Sequence, residues 1–350
     1  MTFLRKVIVP VVLGVLATLG MNQAHATLLA YDGFNYTPGV LSGNSGGGDL
    51  GWVAAWQQNG GNINNSLVLS GSYSYSDLAG NMLVTSGNRA YFTGDGSATG
   101  DNISGGTSAS TQPLRRLSFI RGNTGATEST WVSFLALRTD NASPAPAAAP
   151  ADYQHGRAAG VQFFFNATTT STAAGSEQFT VGRATQSSET DTSLPNDTWS
   201  VLSSGGANNT KASTVNFATV PADFILMRID HIGTTATSVG NADTLRIWIN
   251  PSSLTGAPTD ASADVVYTSS DFGTANTRDW VFDRIRLFGG NGQGTVGTTY
   301  TYGAMNVDEI RIGDGFVDVT PYTAVPEPAA CALLGVGMLA LINRFRRIRG

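Results

Sequence analysis

Asp308 and Glu309 stand side by side near the end of a 350-residue chain, in the run Met305-Asn306-Val307-Asp308-Glu309-Ile310-Arg311-Ile312-Gly313. Such acids cleave glycosidic bonds when two of them flank a sugar about 5 Å apart, one as acid and one as nucleophile. On one strand this requires carboxylates four residues apart, both emerging on the same face. The face of Glu309 continues instead with Arg311 and Gly313, and that of Asp308 with Ile310, Ile312 and Asp314. The pair therefore reads as a structural hydrogen-bonder. No catalytic residue is assigned, and the expectation is that the chain is not an enzyme.

Other constellations are sparse. Beyond residue 26 the only histidines are His155 and His231, and His231 follows Asp230 on a strand, so their side chains point to opposite faces. Asp95, Ser97, Thr99 and Asp101 put oxygen side chains at alternate positions of a loop with Gly100 before the last. Hard cations favour such sets, so a structural calcium ion is the one cofactor considered. No bidentate Glu closes the loop. For glycans the chain offers aromatic side chains that can stack on sugar rings: Trp52, Trp56, Tyr73, Tyr75, Trp199 and Trp248. Tyr73 and Tyr75 share a strand face. Trp248 lies opposite Ile247 and Ile249, beside Arg246 and Asn250, and is the candidate exposed platform.

The elements that must position these residues are strands. Residues 27 to 320 show short apolar runs separated by Gly, Ser, Thr and Asn, with no helical period. Strands are expected at Leu28-Tyr36, Met82-Thr85, Arg89-Thr93, Leu114-Ile120, Thr130-Arg138 and Gly160-Asn166. Further strands are expected at Gln178-Arg183, Asp223-Ile232, Thr244-Asn250, Trp280-Phe288 and Asn306-Ile312. Leu245, Ile247 and Ile249 alternate with Arg246, Trp248 and Asn250, the mark of a strand with two different faces. Many strands with turns between them give an all-β antiparallel sandwich in one domain. The Pro/Ala tract from Ala142 to Ala151 is expected to be extended chain, a long surface loop within the sandwich or a linker between domains.

Charge narrows the partners. Residues 27 to 325 carry 14 basic and 24 acidic side chains, and Lys211 is the only lysine among them. That balance disfavours nucleic acid and anionic lipid and suits cations or neutral glycans. The single cysteine, Cys331, lies outside this stretch, so the body has no disulfide.

Both ends read as addresses. Arg5 and Lys6, the apolar run Val7 to Met21, and Ala24-His25-Ala26 form a signal peptide with its cleavage site. At the other end Val325-Pro326-Glu327-Pro328 is locked extended by its prolines. An apolar run, Ala329 to Ile342, follows, and then Arg344, Arg346, Arg347 and Arg349. The run is about 14 residues, short of the roughly 20 of an unaided span, and the arginines act as a basic stop that snorkels to lengthen it.

This tail resembles the PEP-CTERM sorting signal of Gram-negative bacteria, the tag of exosortase-type transpeptidases. The resemblance implies export and cleavage by signal peptidase, and a transient inner-membrane anchor through the C-terminal transmembrane helix. Cleavage near Pro326, Glu327 and Pro328 and release to the cell surface or extracellular matrix would follow. A second resemblance rests on Met305 to Gly313 and on Tyr31-Asp32-Gly33-Phe34-Asn35-Tyr36. These are similar to the last and first strands of concanavalin A-like, laminin-G-like jelly rolls, in which the two lie close together in one sheet.

The sequence thus divides into a signal peptide (1–26), a β-sandwich domain (27–323) and a sorting signal (324–350), the sandwich flanked by an N-terminal signal helix and a C-terminal hydrophobic helix. The expected role is that of a structural or adhesive surface protein associated with exopolysaccharide. A lectin-like carbohydrate-binding module is the alternative, and a glycoside hydrolase the third reading.

Overall fold

The computed structural model describes residues 27–46, 50–61, 63–94, 110–122, 127–139, 158–166, 173–183, 198–203, 210–218, 221–232, 243–268, 271, 280–290 and 303–324. The signal peptide, the sorting signal, the Asp95–Asp101 loop and His155 fall outside them. Among the described residues no helix is long and apolar enough to cross a membrane.

The strands in chain order are β1 (Leu28–Asp32), β2 (Gly39–Val40), β3 (Gln57–Gly61), β4 (Ser66–Leu69), β5 (Met82–Leu83) and β6 (Arg89–Thr93). Then come β7 (Thr111–Arg121), β8 (Glu128–Arg138), β9 (Ala159–Phe165), β10 (Ser176–Arg183), β11 (Thr198–Ser203) and β12 (Thr210–Asn216). The last are β13 (Asp223–His231), β14 (Thr244–Ile249), β15 (Val265–Thr268), β16 (Phe282–Gly289), β17 (Ala304–Gly313) and β18 (Tyr322–Thr323). One short helix, α1 (Phe316–Val319), follows β17.

Two antiparallel sheets face each other as a jelly-roll β-sandwich. Sheet 1 runs β15-β14-β13-β8-β17-β6-β4-β2, with β1 also paired to β17, and sheet 2 runs β12-β11-β10-β9-β16-β7-β3. First and last strands meet as expected: β1 pairs with β17 through Asp32 and Ile310. The main core lies between the sheets, where Phe134, Met227 and Ile247 of sheet 1 meet Phe163, Phe179 and Ile285 of sheet 2. Alternation does this, since every second side chain of a strand points inward.

A second apolar cluster covers the other side of sheet 1. Trp131, Leu135, Phe224, Leu226 and Trp248 point away from the main core and pack under Leu83, Leu254, Phe316 and Val319. Ser133 fastens α1 there by donating to the Val319 carbonyl at 2.6 Å. The part of sheet 1 around Trp131, Leu135, Phe224, Leu226 and Trp248 is therefore buried on both faces, and this changes what its residues can do.

The ladder of β17 carries a bulge that strict alternation misses. Its register to β8 shifts between Asp308 and Arg311, and Glu309 takes a φ of 57°. One extra residue leaves Val307 and Ile310 both in the core. The expected face shared by Asp308 and Ile310 is thereby corrected. A side chain in that left-handed region costs about 1–3 kcal/mol unless its surroundings hold it. Here they do: Glu309 accepts from the Ser86 amide, the Tyr31 hydroxyl at 3.0 Å and Arg311.

Candidate functional site

Three carboxylate centres turn out to be structural. Asp32 is fully buried and accepts from the Phe34 amide at 2.9 Å, Trp56 Nε1 at 2.8 Å and Arg115 Nη1 at 2.6 Å. Tyr36 adds its hydroxyl. Charge meets charge there, and the remaining lone pairs are used. Asp308 holds the chain at 72–73, accepting from Ser72 Oγ at 2.6 Å and the Tyr73 amide at 2.8 Å. Burial, countered by the Ser72 hydrogen bond and reinforced by the adjacent Glu309 charge, pushes the Asp308 carboxyl up to about 8. Burial also raises Glu309.

The third centre lines up Thr130, His231 and Asp243. His231 Nδ1 lies 3.1 Å from Asp243 Oδ2, and Nε2 lies 3.0 Å from Thr130 Oγ1. Thr130, His231 and Asp243 are 0%, 2% and 1% exposed, and each spends its polar side-chain atoms on protein partners. Asp243 also accepts the Trp280 and Ile232 amides, and Arg121 donates to Thr130. The line is a clasp joining the two sheets.

The expected sugar platform is closed. Trp248 is 2% exposed, stacked on Trp131 with centroids 5.9 Å apart, and its Nε1 donates to the Thr259 carbonyl at 3.2 Å. Its place opposite Ile247 is as expected, but the second apolar cluster covers that face, and the expectation of an exposed platform is corrected. Trp56 and Trp199 are buried in the main core. Tyr73 and Tyr75 are half-buried against the second cluster. No group of His, Cys, Asp and Glu suited to a metal occurs among the described residues, and the proposed calcium ligands Asp95, Ser97, Thr99 and Asp101 lie outside them.

A different set of residues converges on the outward face of sheet 2. Leu114, Arg286, Gln162, Thr180 and Leu202 stand side by side across β7, β16, β9, β10 and β11. Their strand neighbours Val161, Phe163, Phe179, Val181, Ile285 and Leu287 fill the main core, so alternation turns Gln162, Thr180 and Arg286 outward. Arg286 Nε donates to Gln162 Oε1 at 2.6 Å and Nη1 to Gln112 Oε1 at 2.9 Å. Gln162 Nε2 donates to Thr180 Oγ1 at 2.9 Å, and Thr180 donates to Glu177 at 2.5 Å.

The guanidinium lies over the Phe164 ring at 4.2 Å and beside Phe288 at 5.6 Å. Its nearest carboxylate, Glu177, stands 3.7 Å from Nη2, beyond hydrogen-bond range. Among the described residues Nη2 makes no hydrogen bond. Burial lowers the Arg286 pKa to about 10 against the pull of Glu177, which leaves it charged at neutral pH. A cation tied on two sides by uncharged amides, flanked by rings and loosely paired with one carboxylate on its third edge can take a closer carboxylate there.

Neither the acid pairs nor the tryptophans of the sequence point to this row. Its sign was there in Arg284 and Arg286 alternating with Ile285 and Leu287, and in Gln162 interrupting Val161 and Phe163. Only the register brings those strands together.

No family model matches the chain, and no curated protein matches it. Among similar solved structures is an endo-β-1,4-glucuronan lyase from the fungus Trichoderma reesei, 14% identical, with 84% of this chain and 99% of that one covered and a TM-score of 0.42. An alginate lyase, Aly36B, in complex with alginate tetrasaccharide is 11% identical, with 83% and 97% covered and a TM-score of 0.41. The carbohydrate recognition domain of Emp46p is 6% identical, with 74% and 88% covered and a TM-score of 0.30. At these identities the likeness concerns the fold and transfers no site. The expectation that the chain is not an enzyme is corrected here. It rested on the lack of a glycosidase acid pair, whereas similar structures include lyases, and elimination is not a reaction for which that pair was a test.

Proposed function

We propose that the protein is an exported carbohydrate-binding jelly roll, delivered to the cell surface or matrix by its terminal signals, that holds acidic polysaccharide on the outward face of sheet 2. The observation that carries this reading is Arg286. Its Nε and Nη1 are fixed by Gln162 and Gln112 while Nη2 has no hydrogen-bond partner among the described residues. A uronate carboxylate would give Nη2 the close hydrogen-bonded partner that Glu177, at 3.7 Å, does not, and the half-buried Phe288 ring beside it offers a face for sugar C–H groups. The body's negative balance then limits binding to polymers that present their carboxylates to this one cationic row.

Affinity electrophoresis in alginate and in a neutral glucan tests the binding. The protein is expected to be retarded by alginate, and Arg286→Met to run freely at an unchanged melting temperature. Retardation equal for both proteins would remove Arg286 from the account. Delivery is tested separately by intact mass and terminal sequencing of protein from the native envelope and medium. A chain from Thr27 to the Pro326–Pro328 region is expected, and one retaining Arg344 to Gly350 would contradict release.

A second reading follows from the same clamp. Neutralising a uronate carboxylate acidifies the neighbouring C–H, the first requirement of eliminative cleavage. The described face supplies this clamp, and the carboxylate that stands beside it is Glu177, 3.7 Å from Nη2. Appearance of unsaturated products during incubation with alginate, lost in Arg286→Met, would establish a lyase. Tight binding without product leaves the chain a binding module.

A further inference from the structure

A cavity of about 260 Å³ opens at the rim of sheet 1, away from the Arg286 row. Tyr75 and Met82 form one side and Pro221 and Ala222 the other, with Asp223 and Asn250 also lining it. The polar pair is held with little freedom. Asn250, at a φ of 54°, accepts the Phe224 amide on Oδ1 at 2.8 Å and donates Nδ2 to Asp223 Oδ1 at 2.7 Å. Asp223 Oδ2 accepts Trp199 Nε1 and the Ala218 amide, both at 2.8 Å. Tyr75 is locked by its hydroxyl on the Pro251 carbonyl and by its ring tilted on Phe224, with centroids 4.9 Å apart.

This inventory leaves defined vacancies. Asn250 has a second Nδ2 hydrogen, and Asp223 Oδ1 a second lone pair. Asp223 is 2% exposed, and among the described residues it has no cationic partner: neutral donors alone hold it. The Ser74 and Ser76 hydroxyls also line the cavity and bond to nothing among the described residues. A fixed donor beside a fixed acceptor matches two vicinal hydroxyls, each of which both gives and takes a hydrogen bond. The ring of Tyr75 and the apolar Met82 and Pro221 match the C–H faces of a pyranose. The uncompensated carboxylate repels a uronate. The volume is under the roughly 300–1,000 Å³ of pockets for drug-sized ligands, which limits the occupant to about one ring.

We infer that this cavity binds a single neutral sugar residue through a vicinal diol, read by Asp223 and Asn250 against Tyr75. The site stands independently of the Arg286 row and gives the domain a second glycan contact of opposite charge preference.

The test is titration of the full chain with methyl glycosides of neutral hexoses, with a methyl uronate and an alkylammonium ion as controls, followed by saturation-transfer NMR and calorimetry. Saturable binding of a neutral glycoside is expected. Ser76→Trp, a substitution at an exposed mouth residue, should weaken it at least about tenfold without moving the melting temperature. Ser74→Trp provides a second block should the first variant fold poorly, and Arg286→Met should leave the neutral sugar's affinity unchanged. The inference is overturned if no neutral glycoside binds, if binding ignores both tryptophan blocks, or if the uronate or the alkylammonium ion binds more tightly.

Discussion

Two arginine sites on the outward faces of the sandwich, Arg228 with Arg246 on sheet 1 and Arg286 on sheet 2, are compensated to different degrees. On sheet 1, Arg228 and Arg246 each reach Asp230 and Asp260, and the surface beside them is sealed by Trp131, Trp248 and α1. Charges there are matched to charges and the aromatic rings to one another. On sheet 2, Arg286 is matched mainly to the neutral oxygens of Gln112 and Gln162, with Glu177 at 3.7 Å. A buried cation left partly uncompensated is a liability for folding, and that face makes sense when a ligand completes it. Aromatic content alone therefore misleads: the face richer in tryptophan is the closed one.

The comparison can be broken most forcefully where side chains are fully buried, at Arg115 of β7 in the interior and at Trp248 on the closed side. Arg115→Met leaves Asp32 as a buried carboxylate without its cation and should cost about 3–5 kcal/mol. Trp248→Ala should cost a similar roughly 3–5 kcal/mol through the cavity it opens. Chemical denaturation measures both, and alginate affinity per folded molecule should be unchanged in each. An affinity loss in Trp248→Ala at full folding would reopen sheet 1 as a binding face.

Asp308 provides a pH test of the same closure. Its ordinary value lies near 4, and in the folded chain it rises to about 8. Between those values the folded state binds more protons than the unfolded one, so this group makes stability fall as pH rises from about 4 to about 8. Asp308→Asn keeps an acceptor for Ser72 and Tyr73 and should flatten that slope in thermal melts. A slope identical to wild type would show that Asp308 is ionised in the fold.

On the open side, Arg286→Met should lower alginate affinity about ten- to a hundredfold, the loss of a charged hydrogen-bond contact, with little change in stability. Arg286→Lys should recover only part of it, because a lysine cannot span the two glutamines and still present an edge. The smallest effect belongs to the exposed end of the sheet 1 network. Asp260 is 53% exposed, and Asp260→Asn should change stability by less than about 1 kcal/mol.

Much of the sandwich was legible because its long strands alternate: β6 spans Arg89–Thr93 as expected, and β8, β9, β13, β14 and β17 differ only at their ends. The strands β11 and β12 were missed: in β11 the alternation of Trp199 and Val201 spans only two inward positions, and β12 has Ala212 and Val215 as its only apolar residues. Alternation put Trp248 on the correct face and could not say that α1 and Leu254 lie over it. It failed at Glu309, where a bulge inserts a residue that no periodicity announces. The Arg286 row joins residues from 112 to 286 through strand register, a long-range property that local patterns do not encode.

The most direct measurement is a calorimetric titration of the protein and of Arg286→Met with alginate and with the same polymer after its carboxylates are reduced to alcohols. The account predicts that the protein binds alginate, loses most of that affinity on carboxyl reduction, and loses it equally on Arg286→Met, with no further loss when the two changes are combined. Undiminished binding of the reduced polymer, or independent losses from the two changes, would contradict the assignment of the sheet 2 face to carboxylate recognition.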